Sequence, residues 1–64
     1  MKVTITINCD NAAFDELPAM EVSRILTETA DKIALANFHE PFDRHLSLSD
    51  YNGNKVGELK VTGK

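Results

Sequence analysis

The stretch HLSLSDYNGNKVGELKVT, residues 45–62, decides the fold. Its first part alternates, with Leu46 and Leu48 on one face; its second part, Lys55–Thr62, has Leu59 and Val61 on one face. Alternation of this kind marks a strand with one buried side. Between the two lies Asn52-Gly53, a strong hairpin signal because both residues accept positive φ. A two-residue loop there sets Leu46 opposite Leu59 and Leu48 opposite Gly57. The leucines and Val61 then share one face, leaving Ser47, Ser49, Val56, Glu58 and Lys60 on the other. A one-residue bulge would invert one strand and break that agreement, so the two-residue loop is expected.

Upstream, residues 2–9 alternate as cleanly. Val3, Ile5, Ile7 and Cys9 share a face, and Lys2, Thr4, Thr6 and Asn8 share the other. The run of β-branched residues favours a strand, and Asp10-Asn11 closes it with turn chemistry. Pro18 is tolerated only in the first turn of a helix, and Asp15 is the expected cap before it. Val22, Ile25, Leu26, Thr29, Ala30 and Ile33 then recur at steps of three and four, an apolar helical stripe. Glu21, Arg24, Glu28, Asp31 and Lys32 take the solvent side, with Glu28 and Lys32 placed to pair. Asn37, tolerant of left-handed geometry, marks the expected end. Truncating Leu26 or Ile33 to Ala is expected to cost about 2 to 5 kcal/mol.

One helix needs one sheet face. The expected fold is α+β: a single β-α-β-β domain over residues 1–64, one helix packed on a three-stranded, mainly antiparallel sheet. The crossover is expected to be right-handed, with the last strand in the centre, antiparallel to both others, and the first strand an edge. Its outer face carries Thr4 and Thr6, and an unprotected edge recruits other chains. A chain of 64 residues buries only about 60% of the surface it exposes unfolded. Self-association, with a homodimer the simplest case, is therefore expected.

Composition is ordinary for a globular chain, 42% hydrophobic and 27% charged. The net charge of −3 and the scattered Lys and Arg remove the basic stripe that nucleic-acid binding needs. Asp10, Asp15, Glu16 and Glu21 follow one another with no basic residue between them. They suit the positive end of a helix dipole or an acidic surface that meets a basic partner. A single cysteine, Cys9, fits a reducing cytoplasm. No apolar run reaches the roughly 20 residues that span a bilayer, so no membrane span is expected, and with the first strand beginning almost at Met1 no signal segment is expected either.

Catalytic and metal motifs fail on inspection. The string 50–54, Asp-Tyr-Asn-Gly-Asn, opens like a calcium loop, but Lys55 and Val61 stand where Gly and Glu are required. His39-Glu40 opens an HExxH motif whose fifth residue is Asp43. Cys9, His39 and His45 are ligand types without ligand spacing. Cys9 beside a histidine lacks an oxyanion segment, and a buried cysteine at a strand end explains it. No enzyme activity, metal or cofactor is expected. The connection Phe38-His39-Glu40-Pro41-Phe42-Asp43-Arg44 is different, because two phenylalanines and a histidine sit where polar residues are usual. Aromatics and Arg dominate interface energetics. Phe38, His39, Phe42 and Arg44, with Tyr51 at the hairpin tip and the acids Asp15 and Glu16, form the expected partner-binding set.

The strings Asn11-Ala12-Ala13-Phe14, Val22-Ser-Arg24-Ile25-Leu26 with Ala30-Asp31-Lys32, and the run 50–57, Asp-Tyr-Asn-Gly-Asn-Lys-Val-Gly, belong together. In them the chain resembles small uncharacterised proteins encoded by tailed bacteriophages and prophages. The resemblance implies a phage accessory context in the host cytoplasm. It implies no mechanism; within that context the expected function is stoichiometric protein binding, with inhibition of a host defence complex in the anti-CRISPR manner as one form. The alternative is a homo-oligomeric assembly protein with no external target.

Overall fold

The alternating segments form one sheet, and the helix connects the first of them to the second. The computed structural model describes residues 1–36, 38 and 44–63. Strands β1 (Lys2–Ile7), β2 (His45–Ser49) and β3 (Lys55–Thr62) make an antiparallel sheet in the order β1-β3-β2. Helix α1 (Pro18–Leu35) joins β1 to β2, preceded by a short 3-10 turn at Ala12–Phe14. The fold is the expected α+β arrangement, with the last strand central and antiparallel to both neighbours. Val3 pairs with Val61 and Ile5 with Leu59 on one side; Leu46 pairs with Leu59 and Leu48 with Gly57 on the other. Among the described residues no helix is long and apolar enough to cross a membrane.

The hairpin reaches that register by a different route from the one expected. Ser49 pairs with Lys55, and the ladder shifts by one residue between Leu48 and Ser49. The loop is Tyr51-Asn52-Gly53, closed by the Gly53 N–H donating to the Asp50 carbonyl at 3.0 Å and the Asp50 N–H donating to Asn54 at 2.9 Å. Gly53 sits at φ 86°, as a three-residue hairpin loop requires at its last position. The longer loop displaces the register by one, and a bulge at Val56 displaces it back. Because a bulge puts two residues opposite one, Val56 turns inward. It is buried with Ala13, Phe14, Ile25 and Leu48, not on the outer face. Gly57 follows the bulge where β1 approaches most closely: a Cβ there would lie 1.9 Å from the Thr6 carbonyl oxygen.

The helix is where periodicity placed it, but its buried face is rotated. Ile25 is 2% exposed and Leu26 is 41% exposed. Glu21 and Thr29 are buried, Val22 and Ile33 half-buried, and Ala30 exposed. The rotation brings Glu21, expected in solvent, against the hairpin. Arg24 donates to Glu28 at 2.6 Å, so Glu28 is engaged one turn earlier than the expected Lys32. The helix cap is Leu17, which makes no side-chain cap bond. Asp15 instead ends the 3-10 turn, donating its N–H to the Ala12 carbonyl at 3.2 Å, and Asn11 caps that turn by accepting from Ala13 N–H at 2.9 Å. Helix α1 ends at Leu35, and the Ala36 N–H donates to the Lys32 and Ile33 carbonyls. The expected terminus, Asn37, lies outside the described residues. A left-handed backbone falls on Phe38, at φ 62°.

Strand β1 ends at Ile7, two residues before Cys9. Asn8 there turns its side chain to accept from the Asp10 N–H at 3.0 Å, which leaves Cys9 exposed rather than buried.

Two stability outcomes follow from this packing. Ile25→Ala should cost about 2 to 5 kcal/mol in urea unfolding, and Leu26→Ala about 1 kcal/mol or less. Equal losses would mean that the helix packs on the other face. Gly57→Ala should lower the melting temperature sharply, because the atom 1.9 Å away is backbone and cannot swing aside. A melting curve within a degree or two of wild type would exclude that close approach.

Candidate functional site

The rotated helix creates a polar clasp at the hairpin end. The buried Asp50 carboxylate accepts the Asn52 and Asn54 N–H groups on Oδ1, both at 2.9 Å. On Oδ2 it accepts the Asn11 amide at 2.7 Å and the Asn54 amide at 3.3 Å. It thereby holds the loop closed and ties it to the turn before α1. Buried Glu21 makes the second tie. Its Oε2 accepts the Tyr51 N–H at 2.9 Å, and Arg24 donates to Oε1 at 2.7 Å and to Oε2 at 3.0 Å. Arg24 also donates to the Ser49 carbonyl at 3.2 Å.

Both carboxyls titrate below their ordinary range. For Glu21 the Arg24 hydrogen bond is the largest cause, opposed by burial and reinforced by the Tyr51 N–H. For Asp50 burial pushes upward, and the donors from Asn54, Asn11 and Asn52 together outweigh it. Arg24 is raised by the same pairing with Glu21.

The clasp forms one wall of an open groove of about 620 Å³ lined by Ala12, Ala13, Asp15, Glu16, Leu17, Met20, Glu21, Arg24 and Tyr51. Leu17, Met20 and Tyr51 are each more than half exposed there. Arg24 is engaged by Glu21 and Glu28, whereas Asp15 and Glu16 enter no ion pair among the described residues. The rim therefore carries uncompensated negative charge. The chemistry on offer is apolar anchoring within an acidic border, and among the described residues no histidine or cysteine lines the groove.

Of the expected partner-binding set, the structure brings Asp15, Glu16 and Tyr51 together. Phe38 lies past the far end of α1, about 27 Å away along an 18-residue helix. It is half-buried, as is Arg44, whose Nη2 donates to the Gly63 carbonyl. His39 and Phe42 lie outside the described residues. His45 sits on the exposed sheet face, with Nε2 2.7 Å from Glu58. That bond, followed by one from Lys60, holds the Glu58 carboxyl low. Thr4 and Thr6 stand on the same outer face, opposite Lys60 and Glu58. Leu17 and Met20 were not singled out from the sequence. Their signal was there, as large apolar residues at a helix start lying off the stripe. Among the described residues no three metal-ligating side chains gather.

The lowered carboxyls set the sign of an acid response. A group whose folded value is depressed contributes stability that is complete above its unfolded value, about 4. That contribution is lost as pH falls through the folded value. Wild type should therefore lose melting temperature progressively below pH about 4, and Asp50→Asn should start lower and respond less. A variant with the wild-type acid profile would remove Asp50 from the clasp.

Compared with family models, with curated proteins and with solved structures, the chain matches none of them.

Proposed function

We propose that this protein acts by stoichiometric binding to a protein partner through the groove at the hairpin end. The observation that carries this reading is the exposure of Leu17, Met20 and Tyr51 together beside Asp15 and Glu16, which enter no ion pair among the described residues. A monomer gains nothing from grouping large apolar side chains in water, and apolar patches with a polar border mark interaction sites. The fitting partner presents an apolar or aromatic projection surrounded by Lys or Arg. Acidic rim groups would then speed encounter and make it salt-dependent. The resemblance to phage-encoded proteins supports an accessory role, with inhibition of a host defence complex as its most specific form. The connection 38–44 is the rival surface.

The test is capture from bacterial lysate followed by titration calorimetry with the captured partner. Tyr51→Ala and Met20→Ala should weaken binding by roughly 30-fold or more, as expected of an anchor worth about 2 kcal/mol. Their melting curves should hold, because the Tyr51 tie to Glu21 uses backbone N–H. Binding lost with Phe38→Ala and kept with Tyr51→Ala would move the site to the other end of the helix.

A further inference from the structure

We propose that the free edge of β1 docks a second copy of this chain, extending the sheet across a two-fold axis at Ile5. Three observations carry it, and none depends on the groove.

The first is the direction of the β1 backbone. Among the described residues β1 pairs with β3 alone. The Asn8 N–H donates to the Val56 carbonyl at 2.7 Å, and the Thr6 carbonyl points at Gly57. In an antiparallel ladder alternate residues direct both backbone groups to the same neighbour. Asn8, Thr6 and Thr4 therefore serve β3, while Val3, Ile5 and Ile7 turn their N–H and C=O outward. The strand has no proline or bulge, and its one charge is Lys2 at the start. The usual protections of an edge are absent.

The second is the unfinished apolar face. Val3 and Ile5 are 45% and 40% exposed, although their partners Val61 and Leu59 are buried. The side chains that should close the face stand at its border. A second strand alongside would cover them with side chains of the same kind.

The third is self-complementarity. A two-fold axis at Ile5 sets Ile5 opposite Ile5, Val3 opposite Ile7, Thr4 opposite Thr6 and Lys2 opposite Asn8 of the second copy. Outward-facing residues meet outward-facing residues, apolar meets apolar, and no like charges face each other. An isologous contact is closed and stops at a dimer. Each dimer displays two grooves, so a partner with two matching sites would gain avidity.

The test is sedimentation equilibrium up to about 100 μM, where a dimer of micromolar Kd is well populated. Wild type should be dimeric. Thr4→Glu with Thr6→Glu puts like charges opposite each other across the axis and should weaken the dimer at least roughly tenfold. Thr4→Glu with Thr6→Lys puts opposite charges there and should keep or tighten it. That second variant also suits the folded chain, since position 4 faces Lys60 and position 6 faces Glu58 within the sheet. Melting curves confirm that each variant is folded. A monomeric wild type overturns the proposal. So does a dimer on which the two variants act alike, or one that dissociates with Leu26→Glu, which would place the contact on the helix.

Discussion

The Asp50 carboxylate is the point on which the two halves of the chain meet. Four hydrogen bonds converge on it, three from its own loop and one from Asn11, far away in sequence. The carboxylate reinforces the backbone bonds that close the loop, and it adds a polar tie to the apolar packing of Ala13 and Phe14 against the hairpin. Glu21 completes the arrangement from the helix side. The tightest apolar cluster is small: Ala13, Phe14, Ile25, Leu48 and Val56. In so short a chain, charge-assisted hydrogen bonds do work that a larger domain leaves to buried area. Such networks are demanding, because a partner left unpaired loses more than the bond contributed.

The elements of the fold were legible because each obeys a period: two for the strands, three to four for the helix. Covering one helix with one sheet face predicts a single sheet, and the expected central last strand is the order found. The hairpin is instructive. Its long-range pairing was read correctly from a loop one residue too short, because the bulge at Val56 compensates for the extra loop residue. Pattern alone reports the sum of the two offsets and not each. The helix face failed for a related reason. Hydrophobicity assigns Glu21 to water, whereas two specific donors hold it inside: Arg24, three residues on in the same helix, and the Tyr51 N–H, which reaches Glu21 only once the hairpin is in place.

The candidate site was legible only in part. Tyr51, Asp15 and Glu16 were noticed for their chemistry, but their meeting depends on the 3-10 turn and on the clasp, which are tertiary features. Leu17 and Met20 escaped because a search for one apolar stripe treats residues off it as incidental. The connection 38–44 drew attention by composition, and the length of α1 separates its first residue from the groove.

The attachment of Tyr51 to Glu21 has a thermodynamic consequence for recognition. The Tyr51 backbone is held by Glu21 in the free chain, so binding through Tyr51, as proposed, would immobilise little more than the two side-chain torsions of the ring. Ordering losses on association come mostly from mobile loops and long side chains, and here the loop has been ordered by folding itself. A small contact area can then yield a useful affinity, and association should proceed without a slow conformational step. On the proposed reading, the hairpin tip would serve as a preformed template, leaving any adjustment of shape to the partner.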